Sequence, residues 1–274
     1  TDDRISNFEP TINTFSFVSP YWNPFTAIRW LAGRAIPAAK GSGKAATAGY
    51  AFFETRSGYN FVSYDYFAKQ VPVTRMVVGH EKSELEDDDD KGITAVDKVT
   101  IESSVDLFKG LNYGSYSSNV MTLDLANMKF EQHPFSINKY YKDVSVMNSR
   151  KTPEFYKGFD TQATYTRIMT KISDSALFTE GEYTQGFTKQ LSQSSLREKL
   201  FYNKKVTVEL VSDYQLEIGE VVQLDIYKGS SDRKQDFTNS GKYVIGKVER
   251  TFKSSEDKMS TRLTLYTDSD GAES

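Results

Sequence analysis

Apolar positions along the chain follow two periods. In PFTAIRWLAGRAIP, residues Phe25, Ile28, Ala32 and Ala35 recur at helical spacing, with Leu31 and Ile36 beside them. Asn23 is a good N-cap, Pro24 a good first helical residue, and Pro37 a stop. The spacing predicts a helix over 24–35. A second helix is predicted over 185–202, where Phe187, Leu191 and Leu200 are sparse apolar positions.

Elsewhere the period is two. YAFFET and YNFVSYDYF alternate around Arg56-Ser57-Gly58, which reads as a β-hairpin with Gly58 where φ must be positive. Strands are predicted at 73–78, 95–101, 119–125 and 128–131, with a turn at Ala126-Asn127 between the last two. The last third is the most regular, with strands at 206–211, 221–227, 242–252 and 259–268. Gly219 falls in a turn before the second of these, after Leu216 and Ile218. Four antiparallel strands in sequence imply a meander, and the strands within 73–101 would close it into a small barrel. Residues 1–16 and 142–183 are polar and show neither period.

The expected fold is mainly β with an α+β peripheral part. Residues 1–68 and 105–203 would form the peripheral domain, 69–104 and 204–268 a barrel discontinuous in sequence, and 269–274 a tail.

Composition supports a soluble globular chain: 38% of the 274 residues are hydrophobic and 26% charged. Aromatics reach 14%, which leans towards strands. A net charge of −3 gives no bulk positive field, so neither nucleic acid nor membrane binding is expected. There is no cysteine, which excludes disulfides, thiolate metal sites and cysteine nucleophiles. No apolar run approaches the ~18 residues of a membrane span. Thr1 stands where an initiator Met would, which fits a processed chain or part of a longer one.

Candidate chemistry is sparse. Gly41-Ser42-Gly43-Lys44 invites a phosphate-loop reading, but G-x-x-x-x-G-K-[ST] fails at Ala38 and Ala45. The segment also follows a helix and precedes a strand, the reverse of the required order, so 37–49 reads as a linker. Glu84, Glu86 and Asp87–Asp90 form an acidic run that suits a solvated loop; calcium-loop spacing is absent. DDDDK within it matches an enteropeptidase recognition sequence. His80 and His133 sit in unrelated contexts and read as surface or loop residues. No G-x-S-x-G elbow occurs, and no carboxylate pair stands in a setting that would raise its pKa. No catalytic residue, cofactor or metal is expected.

Six segments in order carry a family resemblance: PYWNPFTAIRWLAGRA, YAFFETRSGYNFVSYDYF, QVPVTRMVVG, GLNYGSYSSNVMTLDL, KVTVELVSDYQLEIGEVVQLDIY and GKYVIGKVERTF. Together they resemble the central baseplate hub protein of contractile-tail bacteriophages of the T-even kind. The resemblance rests on turn glycines and aromatic strands, with no catalytic signature. It implies a homotrimeric ring whose subunits each carry two similar barrels, matching a sixfold tail tube above and a threefold spike below. Its partners would be copies of itself, the central spike, and tail-tube or tube-initiator proteins. The place would be the virion baseplate, assembled in the host cytoplasm. Only the second barrel is recognisable here, so the resemblance implies a first barrel before residue 1. Two readings from other classes remain: a tail-associated carbohydrate-active or cell-wall enzyme, and a receptor-binding module with tyrosine-rich loops.

Overall fold

The structure is a computed structural model that describes residues 4–38, 49–78, 93–103, 107–139, 144–151, 167–173, 175–177, 187–210, 215–227, 234–253 and 258–271. The Gly41–Lys44 stretch, the acidic run with DDDDK, and His80 lie outside the described residues. In chain order the first elements are β1 (Ile5–Phe8), α1 (Pro24–Ala32), β2 (Tyr50–Thr55), β3 (Gly58–Ser63), α2 (Tyr64–Lys69), β4 (Arg75–Val78), β5 (Ile93–Val96), β6 (Lys98–Ser103) and α3 (Leu107–Tyr113). There follow β7 (Ser117–Asp124), β8 (Lys129–Ser136), β9 (Arg150–Lys151), β10 (Arg167–Ile172), α4 (Phe187–Phe201), β11 (Lys204–Leu210), β12 (Val221–Ile226), β13 (Gly241–Lys253), β14 (Lys258–Thr267) and β15 (Ser269–Asp270). The chain divides into two interleaved units: 1–66, 106–145 and 155–200 form the first, and 67–105, 146–154 and 201–274 the second.

In the first unit, α1 starts as its sequence dictates. Asn23 is extended, and its Oδ1 accepts from the Thr26 N–H at 2.8 Å, ahead of Pro24. The helix stops at Ala32, three residues before the predicted end. Arg34 and Ala35 N–H both donate to Leu31 O, which tightens the last turn. The Ile36 N–H then goes to Asn13 Oδ1 at 3.0 Å, while Asn13 Nδ2 donates to Arg34 O. A buried asparagine 23 residues upstream therefore takes the backbone groups that would have extended the helix.

The hairpin of β2 and β3 pairs Tyr50 with Ser63 and Thr55 with Gly58. β1 adds to β3 in parallel, giving the order β1-β3-β2. That strand is unsignalled in sequence because all four of its residues are exposed and carry no alternation. The expected second hairpin strand ends early: YDYF opens α2 instead, with Ser63 Oγ accepting from the Tyr66 N–H. A second sheet has the order β10-β7-β8. Its hairpin closes on Asp124, whose Oδ1 accepts from the Ala126 and Asn127 N–H groups. Burial pushes the Asp124 carboxyl up, but hydrogen bonds from Ser175 and Asn127 more than offset this and leave it below the usual carboxylate range. β10 lies in the stretch expected to be irregular; it pairs in parallel with β7, Arg167 opposite Ser118 and Ile172 opposite Leu123.

The second unit is built on a seven-stranded sheet of order β5-β4-β12-β13-β14-β11-β6. One face buries Met76, Val208, Leu224, Ile245, Leu263 and Leu265 as a continuous core. Two expectations are corrected. The last four strands are not a sequential meander: β11 pairs with β14 and β6, so it is not beside β12. Nor is the sheet a purely antiparallel barrel. β4 runs parallel to both β12 and β5, and the ladder stays open, with β5 and β6 as its edges. Both edges come from the single stretch 93–103, expected to be one strand over 95–101. At Asp97 it changes partners: β5 pairs with β4, β6 with β11, and the Asp97 N–H donates to Glu209 O. The two edge strands of the ladder are therefore consecutive segments of one chain path.

Polar pins hold the rest of this unit. Asn148 Nδ2 donates to Lys242 O, Thr267 Oγ1 and Ser269 O, and its Oδ1 accepts from the Lys242 N–H. Lys204 Nζ meets Asp270 Oδ1 at 2.7 Å and Thr238 O at 2.6 Å, and is itself buried.

Candidate functional site

Among the described residues no cluster of three or more His, Cys, Asp or Glu side chains could hold a metal ion. His133 is not in a loop but on β8, opposite Val120. Its Nε2 lies 3.4 Å from Glu131 Oε2, an oxygen that also accepts from the Thr188 hydroxyl. Burial holds its pKa below the ordinary value, although the Glu131 carboxylate pulls the other way. Glu131 is fully engaged by Lys129, Thr188 and His133, so this pair is a sheet contact.

The two turn glycines are held in conformations with positive φ. Gly58 has φ 131°, and a Cβ added there would lie 2.3 Å from Arg4 O. Gly219 has φ 87° as the third residue of a turn in which the Glu220 N–H donates to Glu217 O. The Gly219 N–H donates to Ile245 O, and the Ile245 N–H returns to Glu220 O, so the turn is tied to β13.

Among the described residues, the first unit has an apolar groove and a charged cavity. One is an apolar groove of about 270 Å³ lined by Ile5, Phe8, Ile28, Leu31, Phe52 and Phe61. Ile5 and Phe8 are 58% and 60% exposed, and Phe8 stacks on Phe61 with centroids 6.1 Å apart. It exists because β1 carries apolar side chains outward on the edge of a sheet flanked by α1. The other is a cavity of about 430 Å³ whose walls include Arg29, Trp30, Arg34, Tyr50, Lys171 and Glu198.

The cavity draws its charged groups from three elements. Arg29 comes from α1 and Arg34 from just beyond its end, where the helix stops early. The Arg34 guanidinium stacks 3.9 Å over the Trp30 ring and donates to Trp30 O. Lys171 comes from β10, and its Nζ donates to Leu191 O at 2.7 Å and Ser194 Oγ at 3.1 Å on α4. Burial, then the charges of Arg34 and Lys199, push the Lys171 ammonium down to about 8, with Glu198 acting against them. Burial also raises the Tyr50 phenol far above its ordinary value, reinforced by Glu9 and Asp65. Sequence reasoning missed this site because Lys171 lies in a stretch read as irregular, and it shares the cavity wall with Arg34 only in the folded chain. No period-2 signal marks this strand, because apolar Ile168 and Met169 are adjacent.

No protein family's sequence profile matches the chain, and no curated protein matches it. Among solved structures, it is similar to a tail protein from Neisseria meningitidis MC58, at TM-score 0.49 and 10% identity, covering 92% of this chain and 56% of that one. It is also similar to a chain of the phage P2 baseplate in its activated conformation with Ca, at TM-score 0.20 and 13% identity, covering 80% of this chain and 49% of that one. The chain thus spans about half the length of the solved structures it matches.

Proposed function

We propose that the chain is a structural, non-enzymatic component of a bacteriophage tail baseplate, part of the trimeric hub that joins the tail tube to the central spike. The observation that carries this reading is the construction of the second unit. Its sheet draws on 75–103 and 204–267, and most of the first unit's chain lies between those stretches. The hub-family segments fall in the same order, with the turn at Gly219 leading into β12. The exposed apolar groove of the first unit supports a role in assembly, because contiguous apolar surface of this kind marks contact sites. In this reading the protein works by shape and surface complementarity in the virion tail, having been assembled in the host cytoplasm. Its partners are copies of itself, the spike and the tube proteins.

A closed ring requires cyclic, heterologous contacts, and a permanent ring of this kind buries on the order of 2,000 Å² or more per contact. Mass photometry of the full natural protein, alone and with its spike, tests the reading. Three copies per particle are expected. A protein that stays monomeric in both conditions overturns the hub reading and favours the cell-wall enzyme, for which turnover of peptidoglycan would be the next assay.

A further inference from the structure

The cavity beside Trp30 collects positive charge without the acid that would normally balance it. Arg29, Arg34 and Lys171 line it, and among the described lining residues Glu198 is the single carboxylate. No described acid lies within ion-pair distance of Lys171. Its ammonium carries three N–H donors, of which two go to neutral oxygens, Leu191 O and Ser194 Oγ. Arg34 spends one donor on Trp30 O and sits over the indole, leaving the rest of the guanidinium fork unspent on described groups. Gathering like charges in a partly desolvated space is unfavourable unless a counter-charge enters.

We propose that this cavity is a binding site for a small organic anion, a carboxylate or phosphate carried on a flat apolar group. The guanidinium fork of Arg34 and the third N–H of Lys171 supply the donors an oxyanion needs. Trp30, Tyr50 and Tyr64 supply aromatic wall for the apolar part. The volume, about 430 Å³, falls in the range of small-molecule sites, ~300–1,000 Å³. The lowered Lys171 pKa accords with this excess of positive charge: burial and the positive groups Arg34 and Lys199 disfavour its charge, and Glu198 only partly restores it. A bound anion would push that pKa back up.

The test titrates the protein with inorganic phosphate, benzoate and phenyl phosphate, following tryptophan fluorescence, with benzyl alcohol as the neutral control. Saturable quenching below about 10 mM by at least one anion, and none by the alcohol, is expected. Binding by benzoate alone assigns a carboxylate, and by the phosphates alone a phosphate; both outcomes support the site. Lys171→Met and Arg34→Gln should each weaken binding by roughly tenfold or more. A readout on the unaltered protein guards against misfolded variants. Acetic anhydride at pH 8 should acylate Lys171 ahead of the exposed lysines, and the bound anion should slow that step selectively. The proposal is overturned if no anion saturates, if benzyl alcohol binds equally well, or if acylation of Lys171 is unaffected by the anion.

Discussion

Gly58 and Gly219 are among the glycines that hold backbone conformations other residues rarely adopt, and they differ in their surroundings. Gly219 sits in its turn at φ 87°, so replacing it with valine is costly through backbone strain. Gly58 carries the same kind of strain at φ 131° and also lies against Arg4, whose carbonyl would be 2.3 Å from a new Cβ. Gly219→Val should therefore cost ~1–3 kcal/mol, and Gly58→Val measurably more. Urea unfolding of both variants gives the comparison. Equal losses would mean that β1 moves aside and that the parallel pairing with β3 contributes little. At this scale the sequence was informative about turns, since both glycines stand before alternating runs. It was silent about Arg4, because a contact between a terminal strand and a hairpin turn leaves no periodic trace.

The elements divide into those specified locally and those specified by distant partners. α1 belongs to the first kind at its start: cap, proline and spacing all lie within 23–36. Replacing Asn23 by alanine removes the acceptor for the Thr26 N–H and should lower stability by ~1 kcal/mol, read as a shift in the urea midpoint without a change in slope. A loss below a few tenths of that would show that water caps the exposed end equally well. The same helix belongs to the second kind at its finish, where Asn13 decides the last turn. β7, β8 and β11–β14 were legible because each alternates over several residues. β10 was not, since four of its six residues are exposed, polar and apolar alike, and its partner lies about fifty residues away. The YDYF helix was misread because aromatic residues suit strands, and Ser63 offered a cap that composition does not reveal. The cavity was illegible for the same reason as β10: its charges converge only after that strand has paired.

At the scale of the whole molecule, the second unit depends on its last long strand. β14 pairs with both β11 and β13 and contributes the buried Leu263 and Leu265. Removing residues 258–274 would strip a partner from each of those strands and open the core between them. The truncated chain should lose its slow-exchanging amides throughout β11–β13, not only next to the cut, and limited proteolysis should follow the same pattern. Protection that survives in β11 and β13 would show that the sheet is less cooperative than its core suggests.

The change of partners at Asp97 has a consequence for how the protein is made. β6 is complete at Ser103, yet the strand it pairs with begins at Lys204. At a synthesis rate of ~5–20 residues per second, several seconds pass before the ribosome delivers that partner. During that interval the side of β6 that will face β11 has no native mate, and Val99 and Ile101 are without the strand that flanks them in the finished sheet. The first unit's later segments emerge in this gap, so they are made while the sheet they interrupt is still unfinished. Closing a contact across some hundred residues is also intrinsically slow, because the loop entropy is lost before the pairing is gained. The hazard is therefore greatest at mid-synthesis, and a nascent chain stalled near residue 200 is the form most prone to stick to its neighbours.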